Sequence, residues 1–114
     1  MNVTRIERLA SHLEKLPKGD FSAALWHLKR GKALTACIAG WACELWGKKR
    51  LDAPDFDPVV ETARILGMKR DVAEELCTAG VRRNVSQIQA AKALRLVGGG
   101  MEPSKAWDVA CEMH

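Results

Sequence analysis

The stretch Thr35–Gly47, TACIAGWACELWG, constrains this chain more than any other part of it. Its one charged residue is Glu44, and no charge occurs from Ala33 to Cys43. That run is too short for a membrane span, which needs about 20 apolar residues. Read at helical spacing, Ala36, Ala39, Gly40, Cys43 and Gly47 fall at i, i+3, i+4, i+7 and i+11 and make a groove of small side chains. Ile38, Trp41 and Leu45 make a bulky ridge on another face. A helix apolar on all sides is a buried helix. A mid-helix glycine costs about 1 kcal/mol relative to alanine, so Gly40 is expected where a second helix comes close. The segment therefore predicts an interior rod over about 35–47, with the other elements packed around it.

The rest of the chain reads as those other elements. Alanine is abundant, β-branched residues are few and tyrosine is absent, a mix that favours helix over sheet. Ile6, Leu9, Leu13 and Leu16 recur at helical spacing until Pro17 and Gly19. Asp20 or Ser22 can cap a second helix running to about Arg30. Asp57-Pro58 is a cap followed by proline at the first helical position, and Val59, Ala63 and Leu66 form the stripe behind it. Asp71-x-x-Glu74 and Ser86-x-x-Gln89 have capping-box spacing. Ala90, Ala93, Leu94 and Val97 line one further helix. Ala106, Val109, Ala110 and Met113 line a last one that starts at Pro103. No stretch alternates like a strand, and KKRLDAPDFD is the one sizeable loop. The expectation is a single all-α domain over 1–114, with six or seven short helices around the buried one. A chain of 114 residues can bury such a core without metals or disulfides.

The chemistry-bearing residues are sparse. The N-terminal stretch MNVTRIERLASHLEK is amphipathic and charged, unlike a secretory leader. A cytoplasmic protein is expected, with Cys37, Cys43, Cys77 and Cys111 as reduced thiols. Cys37 and Cys43 are six apart on different faces of one helix, whereas chelating pairs usually lie two to five apart, so no metal or other cofactor is expected. Cys37 with His27 could be drawn as a nucleophile and base, but a thiol in an apolar segment stays protonated. Gly98-Gly99-Gly100 lacks the strand and lysine of a phosphate loop. These observations argue against an enzyme. A cysteine-dependent or metal-binding one is the weakest reading.

Two binding readings survive. Residues 59–80 have helix-turn-helix spacing, with Ala63, Gly67 and Leu76 in place and Lys69-Arg70 and Arg82-Arg83 flanking. Against DNA, the second helix opens with Asp71, Glu74 and Glu75, and carboxylates there repel phosphate. The basic pairs also follow helix ends, where cations complement the macrodipole. The other reading is protein binding. Four tryptophans occur without a tyrosine, and the net charge is +4. Trp26 and Trp41 belong to the expected core. Trp46 and Trp107, if exposed, are anchors of the kind that mark interfaces, including a homodimer contact. Trp46, Lys48, Lys49, Arg50, Arg70, Arg82, Arg83 and Trp107 are therefore the candidate partner-binding residues.

DFSAALWHLKRGKALTACIAGWACEL resembles the N-terminal half of a family of small uncharacterised bacterial and phage proteins. Those carry a Cys-Gly-Thr-x-Ala-Cys-Ile-Ala-Gly-Trp-Ala element. The resemblance continues through TARILGMKRDVAEELC and VSQIQAAKALRLVGG, over roughly residues 20–100. The chain departs from the pattern at Lys32-Ala33, where the family has Cys-Gly, and at Cys77, where it has an aromatic. The resemblance implies an all-helical fold and a bacterial or phage origin, and it carries over no functional residues. The function expected is that of a non-enzymatic module binding a host protein or ribonucleoprotein complex, with inhibition of a host defence system as one form. A helix-turn-helix regulator is the alternative.

Overall fold

The computed structural model describes residues 1–17, 19–23, 27–31, 33–48, 55–83 and 85–112, with the side chains of all of these except 27, 30, 33 and 79–83. The expected Trp26, Lys49, Arg50 and Met113 lie outside the described residues. The element order is α1 (Val3–Lys15), β1 (His27–Arg30), β2 (Ala33–Ala36), α2 (Ile38–Trp46), α3 (Pro58–Leu66), α4 (Arg70–Arg83), α5 (Gln87–Gly98) and α6 (Pro103–Glu112). Among the described residues the fold is a mostly helical bundle with one two-stranded antiparallel sheet.

The helix ends follow local chemistry. In α1 the Asn2 side chain accepts from the Arg5 amide, and the helix stops at Leu16, whose extended backbone (ψ 141°) suits a residue before proline. Asp57 caps α3 by accepting from the Val59 and Val60 amides, and Pro58 occupies the first turn. Gly67 closes α3 in the left-handed conformation (φ 65°), a shape for which glycine carries no Cβ penalty. A Cβ there would also lie 2.9 Å from the Asn2 nitrogen. Ser86 and Gln89 form the expected reciprocal box at the start of α5. The box expected at Asp71 does not form. The Ala73 amide bonds the Lys69 carbonyl, so α4 starts earlier and Asp71 falls inside its first turn. Glu74 instead pairs with Arg70.

The helix expected from Asp20 to Arg30 is overturned over His27–Arg30. These residues pair with Ala33–Ala36 in the register His27↔Ala36 to Arg30↔Ala33. Gly31 turns the hairpin at φ 61°. Leu34 and Ala36 are buried while Thr35 between them is half-buried, a period-two pattern too short to stand out. Ala36 is tied on its other edge as well: its amide donates to the Asp20 carbonyl and its carbonyl accepts from the Ser22 amide. Because Thr35 and Ala36 belong to β2, α2 starts only at Ile38, with Cys37 as its N-cap.

Packing distributes the core over several elements. α2 is buried from Ile38 through Cys43, then emerges, with Glu44 and Leu45 exposed. Its main neighbours are α3 and β2. The most extensive pairing is α1 on α5, followed by α5 on α6. Ile6, Leu9, Leu13, Leu94, Val97 and Trp107 are all fully buried there. The interior rod is thus one wall of a shared core, with α1, α5 and α6 forming the other.

Candidate functional site

α1 carries two charged flanks of opposite sign on either side of its buried Ile6–Leu9–Leu13 stripe. Glu7, Ser11 and Glu14 recur at i, i+4 and i+7 and face α5. Arg95 on that helix donates to Glu7 at 3.1 Å, to Glu14 at 2.7 Å and to Ser11 at 3.3 Å. These bonds hold the Glu14 carboxyl below its ordinary range and keep the Arg95 guanidinium protonated. Both carboxylates of this flank are therefore already held by one cation.

On another flank Arg5, Arg8 and His12 recur at i, i+3 and i+7, and Arg5 and His12 reach side chains of α2. The His12 ring lies 4.9 Å from that of Trp41, tilted by 59°. The Arg5 guanidinium lies 5.7 Å over the ring of Trp46. These two side-chain contacts link α1 to α2 in an antiparallel sense, Arg5 to Trp46 and His12 to Trp41, and Arg8 is exposed. Arg5 also donates to the Ile65 carbonyl at 3.1 Å, at the negative end of α3. Among the described residues neither Arg5 nor Arg8 pairs with a carboxylate. Trp46 is half-buried, Leu45 is 39% exposed, and Lys48 is exposed just past the helix end. The contact that joins the two helices here is thus a cation on an aromatic face, with exposed Leu45 and Lys48 close by in the chain. Glu44 is the nearest counter-charge along α2 and has a partner of its own.

The other expected partner residues fare differently. Trp107 is not a surface anchor: it is fully buried, and its indole nitrogen donates to the Leu76 carbonyl at 2.9 Å. α6 packs against both α4 and α5, so its buried face is wide enough to take in Trp107 beside Ala106 and Ala110. Arg70 is exposed but lies 3.1 Å from Glu74 and 3.7 Å from Asp57, which neutralise it. Arg82 and Arg83 lie in the last turn of α4, with side chains outside the description, and Lys49 and Arg50 are outside it altogether.

The α3–α4 corner, read from sequence as a helix-turn-helix, is acidic at its surface. Asp71, Glu74 and Glu75 are exposed on α4. Beside them Asp55, Asp57, Val60, Glu61 and Arg64 line a cleft of about 150 Å³. Glu61 is buried and bonded to Arg64. A further cleft, about 660 Å³, is open and lined by Arg95, Gly99, Met101, Glu102 and Lys105 among others. Its arginine is the one already held by Glu7 and Glu14.

The cysteines are thiols. Burial pushes Cys37 up and carries Cys43 and Cys77 up to about 12, so these three stay protonated near neutral pH. Among the described residues no three His, Cys, Asp or Glu side chains are grouped to hold a metal ion, and no helix is long and apolar enough to cross a membrane. Comparison of the chain with family models, with curated proteins and with solved structures returns no match.

Proposed function

We propose that this chain is a non-enzymatic binding module and that the α1–α2 seam is where it meets a partner protein. The single observation that carries the reading is Arg5 stacked over half-buried Trp46, with exposed Arg8 one turn on along α1, exposed Lys48 two residues past Trp46, and no carboxylate on either arginine. Tryptophan and arginine at one partly desolvated spot are the side chains that most often dominate interface energetics. Cations without an intramolecular carboxylate favour an acidic counterpart and speed its approach. The DNA-binding alternative is disfavoured because Arg70 is neutralised and the exposed start of α4 carries three carboxylates, opposite to what a phosphate backbone requires.

The test is site-specific photo-crosslinking in cells of the native host. A crosslinking residue at position 48 is expected to capture a discrete protein, while one at exposed position 105 on α6 is not. Trp46→Ala should weaken the capture about tenfold or more, and Arg5→Glu with Arg8→Glu should abolish it. Equal capture from both positions, or capture indifferent to these substitutions in a folded protein, defeats the proposal.

A further inference from the structure

Among the described residues Glu61 is the only buried charged side chain, 3% exposed, and half of its carboxylate lacks a partner. Its Oε1 accepts from the Arg64 Nε. Its Oε2 is covered, and no hydrogen-bond donor reaches it. A carboxylate in the first turn of α3 complements the helix dipole. An exposed one would do the same, so the dipole does not account for the burial. A buried acceptor left without a donor costs stability, and a second donor at Oε2 would recover it.

The geometry around Glu61 leaves room for that donor. Asp57, Val60, Glu61 and Arg64 fall at i, i+3, i+4 and i+7, one face of α3, and with Asp55 they line a cleft of about 150 Å³. Asp55, Asp57, Val60 and Arg64 are exposed at its rim, and buried Glu61 forms its floor. The bond between Glu61 and Arg64 joins floor to rim, so the Glu61 carboxylate lies among the lining side chains. Three carboxylates share this lining with one guanidinium. Arg70 approaches Asp57 from outside at 3.7 Å but is bonded to Glu74 at 3.1 Å. The cleft therefore attracts a cation.

The spacing says which kind. The carboxylates are spread along α3 and the residue before its cap, and among the described residues no three such groups are gathered to hold a metal ion. An ammonium is a compact point charge. A guanidinium presents five donors in one plane and can meet several separated acceptors at once. Val60, an exposed apolar side chain at the rim, gives the methylenes of such a ligand a surface to lie on. The cleft has the volume of about five waters, room for one such head group and not for a folded segment.

We propose that the cleft at the start of α3 binds one guanidinium group, which donates to Glu61 Oε2 and lies between Asp55 and Asp57 with its stem on Val60. The site is separate from the Arg5–Trp46 contact, opposite to it in charge, and independent of the reading given to that contact. An arginine side chain of a protein and a free small guanidine carry the same group, and the experiment separates them.

The whole chain, labelled with nitrogen-15, is titrated with ethylguanidinium, with acetyl-Gly-Arg-Gly-amide and with the lysine analogue of that peptide. Saturable shifts are expected at the Val60 and Glu61 amides and at the Arg64 Nε–H, with both guanidinium probes binding about tenfold or more tighter than the lysine peptide. Tighter binding of the arginine peptide than of ethylguanidinium assigns the site to a protein side chain, and equal binding assigns it to a free guanidine. Glu61→Gln should weaken binding about tenfold or more, with its spectrum reporting whether it is folded. Asp55→Asn changes an exposed residue that the fold does not need, and it should weaken binding several-fold. Shifts that do not saturate, a lysine peptide that binds as well, shifts centred on Asp71 and Glu75, or binding unchanged by Asp55→Asn would each overturn the proposal.

Discussion

The half of the molecule built from α1, α5 and α6 and the half built from the hairpin and α2 are held together in different ways. In the first, side chains from three helices interlock: Ile6, Leu9, Leu13, Leu94, Val97 and Trp107 are fully buried. Gly98 lets α5 come so near α1 that a Cβ there would sit 3.1 Å from the Ile6 side chain. Arg95 adds five polar contacts across the same interface. In the second half, the strands are four residues each, and much of the attachment runs through main-chain groups of single residues. Asp20 takes the Trp41 indole at 3.0 Å on the same carbonyl that accepts from Ala36. Backbone bonds of this kind fix position but bury little apolar surface. The comparison teaches that the first half should resist perturbation through volume and the second through a few bonds.

The largest test of that contrast is Trp107→Ala. It empties a large, fully buried site and removes the indole bond to the Leu76 carbonyl, so a loss of about 3–5 kcal/mol is expected in denaturant melts. Gly40→Leu probes the other half. Gly40 is buried within α2, and the added side chain should overpack it at a cost of about 1–3 kcal/mol. If Gly40→Leu proves costlier than Trp107→Ala, the α2 half is as tightly filled as the other and the contrast fails. A Gly40→Leu variant that melts like the parent would remove the idea of α2 as an interior element.

The smallest effect sharpens the picture within the first half. Glu14 has its carboxyl lowered from 4.5, first by the hydrogen bond from Arg95. A depressed carboxyl pKa contributes stability that is present above the unfolded value and is lost as pH falls through the folded one. The parent should therefore lose its advantage over Arg95→Met as the solution is acidified below about pH 4.5. Glu14 is 37% exposed, so the difference stays under about 1 kcal/mol. Melts of both proteins across that range measure it. An advantage constant with pH would mean that Arg95 acts through packing alone.

The two halves also differ in how far the sequence revealed them. Helix starts with a local mechanism were readable: Asp57-Pro58, Ser86 with Gln89, and Pro103 all sit where their chemistry predicts. The buried stripes of α1 and α5 followed from spacing. The hairpin was not readable, because Leu, Lys, Arg and Ala are poor strand formers and each strand ends before alternation can declare itself. Its pairing is decided by contacts with Asp20 and Ser22, outside either strand. Trp107 was misplaced for a related reason: one helix stripe describes packing against one neighbour, and α6 has two. In the candidate site, Trp46 and Lys48 were visible as chain neighbours. Arg5 and Arg8 were missed because basic residues were grouped by adjacency along the chain. Their i, i+3 spacing, on another flank from Glu7 and Glu14, was the available signal.

The pairing of α1 with α5 has a consequence for synthesis. α1 ends at Lys15 and its chief partner begins only at Gln87. At roughly 5–20 residues per second on a ribosome, the first helix waits several seconds with its apolar stripe uncovered. The strongest interface of the finished molecule is thus among the last to be made, and a chain released before α5 emerges would leave α1 without the surface it was patterned to meet.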